Sequence, residues 1–151
     1  MDFDTTNIFD FIDGFNEREP WGEHHKVNGL LILLLGAVRK VFREFDPNCH
    51  FVLHCAYEGA GHSTQSQHYL GNAADFHVET SILYPAQIGK ILDALNILQV
   101  EGRVGFGIYP DWNNKGFHLD VRGTKARWGQ IGKNYVAFET ALEHAKNQAG
   151  A

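Results

Sequence analysis

Two hydrophobic periods run along this chain, one near 3.6 residues and one of two. Ile8, Phe9, Phe11, Ile12 and Phe15 recur at helical spacing and predict a short helix docked on the body. Asn28 is placed to cap a helix running to about Phe45, with Leu31, Leu34, Val38, Val41 and Phe45 forming its stripe. The added Leu30, Ile32, Leu33 and Leu35 predict burial on several sides of that helix, and Pro47 stops it. His50 to Tyr57 and Asn72 to Glu79 read as strands, separated by a turn-rich loop from Glu58 to Gln67. Pro85 opens a helix with Ile88, Ile91, Leu92, Leu95 and Leu98 on one face. Arg103 to Tyr109 and Gly116 to Arg122 are further strands. A last helix is predicted from Asn134, with Tyr135, Phe138, Leu142 and Ala145 facing inward.

Helices therefore gather towards the two ends and strands in the middle. This layout predicts an α+β fold with a central, mostly antiparallel sheet flanked by helices. The chain has 151 residues, a length that suits one domain. It contains no internal repeat or Pro/Gly/Ser-rich linker, so residues 1–27 read as an extension packed on a single domain, 28–151.

Charge narrows the function. Thirteen Lys and Arg against eighteen Asp and Glu leave a net charge of −5, which argues against binding a phosphate backbone. The longest apolar block, Gly29 to Val38, is about half the ~20 residues a membrane-spanning helix requires. Asp2 and Asp4 are unlike the basic start of a signal peptide, so the chain as written is expected to be cytoplasmic and monomeric. Cys49 and Cys55 would lie roughly 20 Å apart on one strand, too far for a disulfide, and read as two free packing thiols.

Strand parity then locates candidate chemistry. Ala74, Phe76 and Val78 share one face of their strand, and Asp75 and His77 share the other. Phe117, Leu119 and Val121 likewise oppose His118, Asp120 and Arg122. Aligned His and Asp on two strands suggest the floor of a cleft. His68 precedes Asp75 by seven residues, with Gly71 allowing a tight turn between them. His68, Asp75 and His118 would make a three-ligand zinc site with an open position, the arrangement of catalytic rather than structural zinc. Such an ion lowers the pKa of water and polarises a carbonyl, and a carboxylate must still take the proton. Asp120, on the same strand face as His118, is the first candidate for that general base.

The run Ser66-Gln67-His68-Tyr69-Leu70-Gly71-Asn72-Ala73-Ala74-Asp75 fits the pattern S-x-H-x-x-G-x-A-x-D. In this it resembles the M15 metallopeptidases, a group of D-alanyl-D-alanine carboxypeptidases and related peptidoglycan peptidases sharing a fold with the hedgehog signalling domain. Gly105 to Pro110, Phe117 to Gly123 and Arg127-Trp128 resemble the H-x-D branch common in phages and bacteria. The resemblance spans roughly Phe51 to Trp128. It implies a hedgehog/DD-peptidase-like fold, zinc held by His68, Asp75 and His118, and a peptidoglycan peptide as substrate. Ser66 would be a hydrogen-bonder that orients a ligand.

Two positions depart from the pattern. Many members carry an acidic base three residues before the last His ligand; here Lys115 stands there, and the resemblance to the H-x-D branch points to Asp120 for that role. Many also carry an Arg for the substrate carboxylate where this chain has Glu58, so either another cation holds the substrate, with Arg122 or Arg127 available, or the substrate differs. His54 and His62 are further candidates for substrate contact. The expected activity is hydrolysis of an amide bond in stem peptides or crosslinks, by a carboxypeptidase or endopeptidase. Such an endolysin-like enzyme would reach the wall after release, and this suggests a phage origin. The competing expectation is a catalytically silent, hedgehog-like zinc-binding module.

Overall fold

The computed structural model describes residues 2–5 and 7–150. It is an α+β fold whose six strands form a single sheet: β1 (His50–Cys55), β2 (Ala73–Glu79), β3 (Gly105–Tyr109), β4 (Gly116–Asp120), β5 (Ala126–Ile131) and β6 (Asn134–Val136). Their spatial order is β1-β2-β4-β3-β5-β6, and every pairing is antiparallel except β3 with β5. Three helices complete the fold, α1 (Gly29–Phe42), α2 (Tyr84–Ile97) and α3 (Phe138–Gly150).

One face of the sheet makes the core. Phe51 and Leu53 of β1, Phe76 of β2, Phe117 and Leu119 of β4, and Phe106 and Ile108 of β3 are all buried. They share a cluster with Leu31, Leu35 and Val38 of α1, Ile88, Ile91 and Leu95 of α2, and Ala141 and Ala145 of α3. Each fully buried aromatic or aliphatic side chain contributes roughly 1.5–3 kcal/mol relative to exposure. With the helices covering this face, the opposite face of the sheet is left for polar groups.

The structure revises several sequence expectations. The N-terminal helix is a single 3₁₀ turn, Ile8–Phe11, and Phe11 points outward at 79% exposure. Within residues 1–27, Phe15, Trp21 and Val27 belong to the core cluster. Asn28 does cap α1, its side chain accepting from Leu30 N, but the helix stops at Phe42 and residues 43–45 are turn. Ile32 and Leu35 are buried as expected, whereas Leu30 and Leu33 face outward, because only one side of α1 meets the sheet.

The largest difference lies near the C-terminus. Residues 126–136 form a hairpin, β5 and β6, so Asn134 begins a strand and α3 starts only at Phe138. Gly132 has φ +58° at the first position of the two-residue loop, where tight hairpins favour glycine. Tyr135 therefore lies on an edge strand, 69% exposed, rather than inside a helix. No helix among the described residues is long and apolar enough to cross a membrane.

Candidate metal centre

Strand register builds the site. Cys55 on β1 lies opposite Asp75 on β2, which pairs with His118 on β4, which pairs with Gly107 on β3, which pairs with Trp128 on β5. This row crosses the sheet on the face away from the helices. Gly107 has no side chain, and a Cβ there would strike the Trp128 indole, 2.6 Å from its nearest ring atom. The glycine lets the ring lie over β3, 5.0 Å from that of His118. The Gly105/Gly107 pair thus serves close packing.

His68 reaches the row from a 3₁₀ turn, Gln67–Leu70. Ser66 caps that turn, its Oγ accepting from His68 N at 3.2 Å. Ser66 thus holds the backbone of His68, while the imidazole is oriented by Ala56, whose carbonyl oxygen lies 2.6 Å from Nδ1. Gly71 ends the turn at φ +72°, where its missing Cβ leaves room for the Lys26 carbonyl.

The donors of His68, Asp75 and His118 converge to within 4.8 Å of one another. Asp75 Oδ1 stands 3.2 Å from His68 Nε2 and 3.0 Å from His118 Nδ1. The far nitrogen of each ring faces a pure acceptor. His68 Nδ1 meets the Ala56 carbonyl, and His118 Nε2 meets Asp120 Oδ2 at 2.7 Å. If each far nitrogen carries the ring proton, two imidazole lone pairs and a carboxylate oxygen aim at one point. Only a cation or extra protons can satisfy that convergence. The residues therefore fit a divalent ion in their chemistry as well as in their spacing.

Electrostatics agree with this reading. Burial would raise the Asp75 carboxyl, but His118 and His68 hold it well below the ordinary range. Burial would lower His118, yet Asp120 and Asp75 together raise it.

Asp120, expected as the general base, is enclosed by its neighbours. It is fully buried, and both carboxylate oxygens are engaged. Oδ1 accepts from Gly105 N at 3.1 Å and Arg122 Nε at 2.8 Å, and Oδ2 lies 2.7 Å from both His118 Nε2 and Arg122 Nη2. It stands behind His118, on the side of the ring turned away from Asp75. Burial would raise this carboxyl, but Arg122 and His118 lower it strongly.

The other expected residues divide. Arg122 lines the cleft, clamped on Asp120 with its guanidinium carbon 5.2 Å from the Trp128 ring centre. Arg127 is turned away: its guanidinium donates to the carbonyls of Val104, Ala126 and Glu101. Parity explains this, since Gly129, two residues along β5, faces Ala141 of α3 and Arg127 shares that side. His62 lines the cleft, stacked on His68 with ring centres 4.2 Å apart. His54 instead pairs with His77, Nε2 to Nδ1 2.6 Å apart, and sits beside Trp112 outside the cleft lining.

Cys55 is the residue that sequence reasoning missed. The β1–β2 register skips one residue between Leu53 and Cys55. Such a bulge puts two successive side chains on one face, so His54 reaches His77 and Cys55 reaches Asp75 Oδ2 at 3.6 Å. Cys49 is buried in the core cluster, and both thiols are free, as expected. The resulting cleft has a volume of ≈740 Å³. Tyr109, Trp112, Trp128 and Tyr135 form its aromatic wall, and Ser63, Gln65, Ser66 and Gln67 its polar one. Among its described lining residues, Arg122 is the one Lys or Arg.

Compared with known proteins, the chain matches no family model, no curated protein and no solved structure.

Proposed function

We propose that this protein is a zinc-dependent peptidase of the M15 type, with a hedgehog-like fold, that hydrolyses an amide bond in peptidoglycan stem peptides or crosslinks. The observation that carries the reading is the convergence of His68 Nε2, His118 Nδ1 and Asp75 Oδ1 at the base of an open cleft. Two imidazoles and one carboxylate suit zinc, and three protein ligands leave a position for solvent or substrate. A zinc ion held there would lower the pKa of water and polarise the scissile carbonyl.

The chain's own residues supply the rest. Asp120 holds a proton on His118 Nε2 and so keeps Nδ1 free. Arg122 balances the charge of Asp120 while its guanidinium borders the cleft, where it can meet a substrate carboxylate. With Asp120 enclosed, His62 on the cleft wall, backed by Glu58, would be the residue placed to accept a proton from the attacking water. His62 lies on the cleft wall against His68, and Glu58 Oε1 stands 3.3 Å from its Nε2. The aromatic wall and the row of Ser and Gln side chains offer an uncharged peptide both packing and hydrogen bonds. In this reading the protein acts on the cell wall after release from the cytoplasm, as at phage lysis.

Digestion of purified peptidoglycan by the zinc-loaded protein, followed by mass analysis of the products, tests the proposal. Loss of terminal D-alanine, or opening of crosslinks, is expected, and His68→Ala should abolish either. Intact wall peptides after exposure to the zinc-loaded protein would overturn it. One observation favours a second reading, that of a silent zinc-binding module: the H-x-D carboxylate is fully occupied by His118 and Arg122. Bound zinc with no cleavage would select that module.

A further inference from the structure

The cleft holds a second group of donors that the proposed hydrolysis does not require as ligands. Cys55 comes from the bulged end of β1, His62 from the following loop and His68 from the 3₁₀ turn. One ligand atom from each lies within 4.8 Å of the others, as in the group of His68, Asp75 and His118. The loop that carries His62 is pinned, since its backbone N–H donates to Tyr69 Oη at 2.8 Å and that hydroxyl donates to its carbonyl at 2.6 Å. His62 Nε2 is buried and makes no hydrogen bond, with Glu58 Oε1 3.3 Å away as its ionic neighbour. That nitrogen keeps its full capacity to bind an ion.

The donor types differ between the groups. A thiolate with two imidazoles suits thiophilic ions, whereas the carboxylate-containing group is harder. The groups also share a residue. His68 Nδ1 is tied to the Ala56 carbonyl, which leaves Nε2 as its one ligating atom. A single nitrogen cannot serve two ions at once.

We propose that Cys55, His62 and His68 form a second site, for a thiophilic divalent cation, that competes with the Asp75–His118 pair for His68. The competition rests on the metal centre proposed above, while the second site stands on its own donors. The thiol proton passes to solvent as the ion binds. An ion held by Cys55 and His62 withdraws His68 from the first group and occupies the imidazole beside it, so the site would act as an off switch set by soft metal ions.

Cadmium alone, titrated into the full chain, tests this. The readouts are the ultraviolet thiolate-to-cadmium charge-transfer band and the amount of cadmium bound per chain. The wild type should show the band with one ion bound. Asp75→Asn/His118→Gln, which cripples the first group, should keep it. Cys55→Ser should lose the band, and His62→Gln should weaken cadmium binding by roughly tenfold or more. Cadmium bound by the wild type without a thiolate band, or a band that survives Cys55→Ser, would overturn the second site and leave the first intact. Two cadmium ions held together would overturn the competition for His68. A wild type that binds neither zinc nor cadmium would end both proposals, and this separates their failures without reliance on any variant folding.

Discussion

Asp120 Oδ2 lies 2.7 Å from His118 Nε2, at the opposite side of the imidazole from Asp75. The carboxylate thereby sets which nitrogen of His118 faces the centre. Asp120→Asn keeps the shape but weakens the negative charge that holds the proton on Nε2. Zinc affinity should fall by roughly 10–100-fold. A zinc titration checks this, and unchanged affinity would mean that Asp120 does not orient its neighbour.

Gly71 joins His68 to Asp75 through a left-handed turn. At φ +72°, with the Lys26 carbonyl packed where a Cβ would sit, alanine must both strain the turn and displace backbone. The left-handed conformation alone costs roughly 1–2 kcal/mol for an L-residue. Gly71→Ala should lower the denaturation midpoint and loosen zinc binding together. A variant as stable as the wild type would contradict this close packing.

Trp21 ties the N-terminal residues to the core. It is 1% exposed, packs near Phe9 and Phe15, and donates from Nε1 to Asn16 O at 2.7 Å. Trp21→Ala should destabilise by about 3–5 kcal/mol, the usual cost of truncating a large buried aromatic. Chemical denaturation measures this. A loss below about 1 kcal/mol would show that residues 1–27 are a dispensable extension.

His54 and His77 give stability a pH dependence that His77→Gln can isolate. Their facing nitrogens, 2.6 Å apart, accommodate one proton between them. Burial first, then the neighbouring His77, lowers His54 below its ordinary 6.5, and burial lowers His77. Between the folded and unfolded values the unfolded chain binds more protons. The contribution of the pair is therefore full above about pH 6.5 and lost as pH falls through the lowered folded values. The wild-type denaturation midpoint should drop more steeply than that of His77→Gln between about pH 7 and pH 5. Parallel curves would show that the pair carries no such linkage.

Much of the site was legible because it lies on regular strands. Alternation put Asp75 and His77 on one face of β2 and His118 and Asp120 on one face of β4, and register then aligned Asp75 with His118. The residues that escaped notice lie where the period breaks or depends on a distant partner. Cys55 faces the cleft because β1 carries an extra residue, and alternation cannot count a bulge. The β5–β6 hairpin was hidden because Asn134 and Phe138 also suit a helix start, and the choice depends on β5 pairing with β3. Arg127 was a plausible cleft cation until that pairing turned it to the far side.

By itself, then, the order of residues determined which groups could act as ligands and which strand faces would carry them, since side-chain direction along a strand follows from local backbone geometry. Tertiary structure decided what each group touches. Asp120 became a clamp because Arg122, Gly105 and His118 close around both its oxygens. His68 acquired one available nitrogen because the Ala56 carbonyl, twelve residues away, takes the other. Burial and hydrogen-bond partners set protonation, tautomer and access, and those partners come from segments that only folding brings together.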